Sequence, residues 1–229
     1  RREIEMMSFR KLRRIDFIGA PVGIGGNHEG TALGPATLRI TGLVRRLSAL
    51  GIEVHDRGDV TPNSDCDLEP NMNLRNTEAV ANWARVISQE TYSALKQGAL
   101  PIVAGGDHSV SFGSVNGVAR YHREQGNELF VLWLDAHADF NTPAISPTGN
   151  AHGMSAAFAC GEPGLDEIIA REERVSIEPQ NLFLFGTRWI DPKEQVLLGE
   201  RSVNVFDMNT LDMSGVPLIL SRIINTVKA

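Results

Sequence analysis

Residues 129–139, Leu-Phe-Val-Leu-Trp-Leu-Asp-Ala-His-Ala-Asp, constrain the fold more than any other stretch of the chain. An unbroken apolar run of this kind reads as a strand buried on both faces, the pattern of a parallel sheet covered by helices. The run ends in Asp135-x-His137-x-Asp139. Residues two apart on a strand share a face. The alternation therefore predicts that these three side chains line up on one side of the strand's carboxyl end. Two carboxylates and an imidazole in apolar surroundings need compensation, because an unpaired buried charge is costly. A divalent cation supplies it, and oxygen-rich ligation with imidazoles suits Mn(II), Mg(II) or Zn(II). A hydrogen-bonded polar cluster at a sheet rim is the competing reading of the same motif.

The rest of the chain alternates between strand and helix signals. Strands are predicted at 15–20, 52–56, 100–104, 181–186 and 203–206. A glycine-rich loop leads to a helix that starts near Pro35, carries Leu38, Leu43, Val44 and Leu47 on one face, and is closed by Gly51. A long helix capped by Asn76 carries Val80, Trp83, Val86, Ile87 and Leu95 as far as Gly98. Another follows Ser109, and Leu/Ile recur at helical spacing over 218–227. Residues 61–75, rich in Pro, Asn and Asp, read as a loop. The expectation is a three-layer α/β/α fold with a mainly parallel sheet, one domain over 1–229, its ligands at the carboxyl ends of the strands. Residues 1–13 read as a leader, with Met6 or Met7 as candidate initiators.

Charge and cysteine usage narrow the function classes. Lys and Arg number 22 against 28 Asp and Glu, a net charge of −6 with no basic stripe, which argues against nucleic-acid or anionic-membrane partners. No apolar stretch is long enough to span a bilayer. Cys66 and Cys160 have neither zinc-ribbon nor redox spacing and read as free thiols of a reducing compartment, the cytoplasm.

Two further polar blocks fall at predicted strand ends. His108 follows Gly105-Gly106, which permit close backbone approach. Alone it would be a structural hydrogen-bonding histidine; beside the first motif it becomes a candidate ligand. The loop after the metal strand, with Asn141, Thr148, Asn150 and His152, is dense in small polar groups. Asn and Thr suit recognition of a carboxylate without added charge, and His152 is placed to shuttle protons. Read in isolation, the loop is an ordinary Asn/Thr/Pro/Gly turn.

The blocks Gly-Gly-Asp-His-Ser (105–109), Asp-Ala-His-Ala-Asp (135–139) and Gly-Asn-Ala-His-Gly (149–153) together resemble the signatures of the ureohydrolases, the family of arginase, agmatinase and formimidoylglutamase. Asp-Phe-Asn-Thr-Pro at 139–143 is most similar to the arginase branch, and the likeness extends from residue 19 to the end of the chain. The resemblance implies a parallel α/β enzyme with two Mn(II) ions per subunit, assembled as a homotrimer or homohexamer, acting on a small guanidino substrate. The implied reaction is hydrolysis of L-arginine to L-ornithine and urea by a hydroxide bridging the two ions. By position, His108, Asp135 and Asp139 match ligands of one ion, and Asp135 and His137 ligands of the other. His152 matches the proton shuttle. Asn141, Thr148 and Asn150 match the α-carboxylate site, and Asp191 and Glu194 acidic positions near the α-amino group.

Two departures stand out. Trp189 occupies a position where arginases commonly place an acidic residue. The family's second ligand strand, Ser-x-Asp-x-Asp, and a later guanidinium-orienting Glu have no counterpart here, so the expectation is that a C-terminal part of the natural protein is missing and that inner strands are left unpaired. Agmatinase or guanidino-acid hydrolysis is the alternative within the class. A non-catalytic ureohydrolase-like subunit is the alternative outside it.

Overall fold

A computed structural model describes residues 14–62 and 73–228. The leader, Cys66 and most of the loop expected at 61–75 lie outside the described residues. The elements run β1 (Arg14–Ala20), α1 (Gly34–Ile40), α2 (Leu43–Ala49), β2 (Glu53–Asp59), α3 (Thr77–Lys96), β3 (Leu100–Gly105), α4 (Val110–Glu124), β4 (Val131–Leu134), α5 (Ser155–Ala159), β5 (Leu182–Thr187), α6 (Pro192–Glu200), β6 (Asn204–Asp207), α7 (Met208–Ser214) and α8 (Val216–Lys228). Every ladder is parallel. The strands form two three-stranded sheets, β2-β1-β3 and β4-β5-β6. Among the described residues no ladder joins β3 to β4.

β5 shows why helices cover both faces. Leu182 and Leu184 point into one apolar cluster with Val80 and Ala84 of α3, Phe112 of α4 and Trp133 of β4. Phe183 and Phe185 point the other way, toward Leu211 of α7 and Ile219 and Ile223 of α8. Period-two alternation thus feeds two helical layers from one strand. Helices α3 and α4 also contact β3, so they back both sheets. Buried Asp16 in β1 is the polar exception. Arg14 donates to it at 2.8 and 3.0 Å and Arg57 at 2.9 Å, and these contacts outweigh burial and hold its carboxyl below the usual range.

Three expectations need correction. The helix from Pro35 to Gly51 is two helices, because Gly42 adopts φ +81° and breaks the turn between α1 and α2. The face drawn on it does not reach the core: no residue of α2 is buried. Asn76 begins α3 but does not cap it, since its backbone is left-handed (φ +56°) and its amide donates to the Ile24 carbonyl at 2.9 Å. Finally, β4 is not buried on both faces. Trp133 is covered, whereas Leu132 and Leu134 remain 42% and 69% exposed, because α7 and α8 lie over β5 and β6 instead.

Cys160, just after α5, is a free thiol. Burial pushes its pKa up to about 12, with the charges of Glu162 and Glu178 adding to the effect. The thiolate is the nucleophile, so iodoacetamide at pH 8 should leave the Cys160 peptide unmodified in the folded protein by mass spectrometry. Modification at the rate of an open thiol would contradict this burial.

Candidate metal centre and its cavity

The chain leaves β3 through Gly105 and Gly106. The Gly106 amide donates to the Ala20 carbonyl at 3.2 Å, and a side chain at this position would collide with the carbonyl of Val22. Only glycine permits that approach. Asp107 then secures the turn: its carboxylate accepts from the amides of Gly25 (2.9 Å) and Ser109 (2.8 Å). His108 follows, its ring stacked on Trp133 of β4 with centroids 4.7 Å apart. The Ser155 hydroxyl lies 2.9 Å from the His108 carbonyl and 3.0 Å from that of His152, which ties the two histidine-bearing segments together. Asp107 and Ser155 were not singled out from the sequence. The signal for Asp107 was its place inside the Gly-Gly-Asp-His-Ser block; Ser155 carried none.

The polar motif after β4 is not a strand. Regular pairing stops at Leu134, and Asp139 sits at φ +50°, a conformation that strains a non-glycine residue. The turn is held from outside. The Ala156 amide at the start of α5 donates to the Asp139 carbonyl at 2.9 Å, and the Phe140 amide donates to Glu194 Oε1 at 2.7 Å. Asp135 and Asp139 therefore converge through a strained turn, not through strand alternation.

The convergence point is His108. Its Nδ1 lies 2.6 Å from Asp139 Oδ2 and 3.1 Å from Asp135 Oδ2. Ligand atoms of these three residues all lie within 4.8 Å of one another. Asp139 Oδ2 is buried and makes no aligned hydrogen bond, despite the closeness of His108. An orphaned buried carboxylate oxygen beside an imidazole nitrogen is what a cation would satisfy. Burial opposes charge on His108, but Asp139, then Asp135 and Asp107, outweigh it and raise its pKa. A bound cation would take the place of that proton. The donor set of one imidazole and two carboxylates fits one Mn(II)-type ion.

Asp135 also faces the other way. Its Oδ1 lies 3.2 Å from His137 Nδ1 and accepts from the His137 amide at 2.9 Å. The two oxygens thus address two imidazoles, the arrangement a bridging carboxylate needs. For a second ion the described residues offer these two groups and no third within reach.

A cavity of about 400 Å³ opens over the cluster and is lined by all ten residues singled out from the sequence. Within its lining Asn141 Nδ2 donates to Asp191 Oδ2 at 3.1 Å, leaving Asn141 Oδ1 buried and without a hydrogen-bond partner. The Thr148 hydroxyl accepts from the Asn150 amide at 3.2 Å. Arg75, outside the cavity wall, donates to Asn150 Oδ1 at 3.3 Å and to Asn27 Oδ1 at 3.0 Å. Glu194 is occupied differently from Asp191. Both its oxygens accept backbone amides, from Phe140 and from Asp191 (3.0 Å), the second bond closing a capping box at the start of α6. Burial raises its pKa; the two amide bonds oppose that shift, and the charges of Asp191 and Asp139 add to it. Its geometry is that of a brace for the Asp139 turn.

Parallel sheets with a His–Asp–Asp cluster at their carboxyl edge define a class: α/β enzymes with a candidate metal centre between strand ends. The comparisons with known proteins are specific within that class. An arginase from Agrobacterium fabrum is 38% identical over 229 aligned residues, covering 98% of this chain and 70% of that protein. An arginase from Staphylococcus aureus is 33% identical over 222 residues, covering 96% and 72%. The structure of arginase from Bacillus caldovelox matches with a TM-score of 0.83 at 31% identity, covering 94% of this chain and 72% of that one. The sequence profile of the Arginase family matches residues 13–229. The chain belongs to the arginase family and is a ureohydrolase by type.

Proposed function

We propose that the chain carries the substrate site of an enzyme hydrolysing L-arginine to L-ornithine and urea, with manganese held by His108, Asp135 and Asp139 and, on the far side of Asp135, by His137. One observation supports this above the rest: the three-residue cluster and the neutral polar arm Asn141, Thr148 and Asn150 line a single cavity. A divalent cation held there supplies Lewis acidity and a water of lowered pKa, which an unreactive, permanently cationic guanidinium requires. The chain's own groups do the rest. Asn150, with its oxygen engaged by Arg75, is left with its amide donors for a carboxylate. Asp191 offers an anion to an α-ammonium group. His152 contributes an imidazole for delivering a proton to the departing nitrogen. Glu194 acts through the Asp139 turn. Assembly into trimers or hexamers and a cytoplasmic location belong to the same reading.

The test is urea release by the manganese-loaded protein from L-arginine and from agmatine, which lacks the carboxylate. Asn150→Ala should raise KM for arginine at least about tenfold, the scale of a lost hydrogen bond to a charged group, and leave KM for agmatine nearly unchanged. Equal effects on both would remove Asn150 from carboxylate recognition. No urea from either compound would remove the activity itself.

A further inference from the structure

Scattered exposed apolar side chains are ordinary on a protein surface; Trp189 differs in where it stands. Its indole is 70% exposed, yet it lines the cavity beside His137, Asp191 and Glu194. Met213 and Ile40, more exposed still, lie outside that cavity. The backbone of Trp189 is fixed: its amide donates to the Ala136 carbonyl at 3.0 Å, the neighbouring Arg188 amide donates to the same oxygen at 2.7 Å, and the residue forms an isolated parallel bridge with His137. Asp191, two residues on, has extended backbone. Residues two apart in an extended segment share a side, and both line the cavity.

Chemically the cavity lining combines a π face with carboxylates. Among the described residues no lysine or arginine lines the cavity, whereas Asp135, Asp139, Asp191 and Glu194 do. Such a wall selects cations. Trp is the best aromatic partner for one, and an indole that forms no ring or cation contact within the described residues is free to take a ligand's.

We propose that Trp189 is a specificity-determining residue whose indole covers the amino-acid end of the substrate, stacking on its α-ammonium beside Asp191. The proposal rests on the arginase reading above and adds a contact that an acidic residue at this position could not make. Its apolar body would also shield the methylene chain.

The experiment uses the manganese-loaded full-length protein with L-arginine and 5-guanidinopentanoate, which keeps guanidinium and carboxylate but lacks the ammonium. Trp189→Leu keeps apolar bulk and removes the π face. It should raise KM for arginine about five- to twentyfold, the range of a partly desolvated cation–π contact, with a smaller change in kcat, and raise KM for 5-guanidinopentanoate less than twofold. Trp189→Phe should fall between wild type and Trp189→Leu. A second readout is tryptophan emission. The chain has three tryptophans, of which Trp133 stacks on His108 and can respond as well, so the arginine-dependent change should shrink in Trp189→Phe by the share that Trp189 contributes. Equal KM effects on both substrates, or an arginine-dependent emission change of undiminished size in Trp189→Phe, would overturn the contact and leave the arginase reading intact. Emission from Trp189 that follows protein concentration but ignores arginine would assign the indole to a second copy of the chain and also overturn it. A wild type that neither binds nor hydrolyses arginine would overturn both readings together.

Discussion

Asp135→Asn is expected to lower manganese affinity and urea release by more than about 100-fold, beyond the roughly 10–100-fold typical of groups that merely orient a ligand. The expectation comes from the two-sided use of this carboxylate, with Oδ2 at 3.1 Å from His108 and Oδ1 at 3.2 Å from His137. Asparagine keeps the shape but removes the charge, and turns an NH2 group toward one of the two imidazoles. His137→Ala is the informative partner. It leaves the His108–Asp135–Asp139 cluster in place, so one ion should bind within about tenfold of wild-type affinity while urea release is lost, the behaviour of an open catalytic position as against a closed one. Calorimetric titration with manganese, read beside urea production, separates the two. Wild-type manganese affinity in Asp135→Asn would exclude it as a ligand, and full activity in His137→Ala would exclude His137.

A second large effect lies far from the cavity. Asp16→Asn should destabilise the fold by about 3–5 kcal/mol, the usual result of removing one partner from a buried charge cluster. Asp16 is fully buried and is shared by Arg14 and Arg57, and Arg57 in turn reaches Glu90 of α3 at 2.8 Å. Thermal unfolding should drop by roughly 10 °C for a domain of this size. The pH dependence has a definite sign. Because the folded carboxyl titrates below its ordinary value, its contribution is present above about pH 4 and is lost as pH falls through the folded value. Asp16→Asn should therefore flatten the acid limb of the stability profile. An unchanged limb would mean that other carboxylates govern acid unfolding.

How much of this was legible in the sequence depends on where the determining contacts lie. His108, Asp135, His137 and Asp139 stand out in the sequence because each lies in a short block at a strand end, and the fold brings those ends together. The parallel α/β class was legible for the same local reason: strands and helices alternate with their own periods. The means of convergence was not. Alternation assigned the Asp135–Asp139 motif to a strand, whereas its geometry depends on Glu194 and Ala156, both remote in sequence, holding Asp139 at positive φ. Leu132 and Leu134 show a second limit. An apolar run records what its side chains would favour, not which helix will lie over them. Gly42 shows a third, since one glycine inside an apparent helical face can carry on the turn or end it, and the deciding angle is set by its surroundings.

The origin of the cluster's ligands bears on the fold in another way. His108 hangs from the end of one sheet, and Asp135 and Asp139 from the end of the other. The stacking of His108 on Trp133 and the bond from Ser155 to the His108 carbonyl already hold these ends together. A cation held by ligands from both would add its binding free energy to that cohesion: about 4 kcal/mol at a thousandfold excess over the dissociation constant. Metal supply would then set rigidity as well as reactivity.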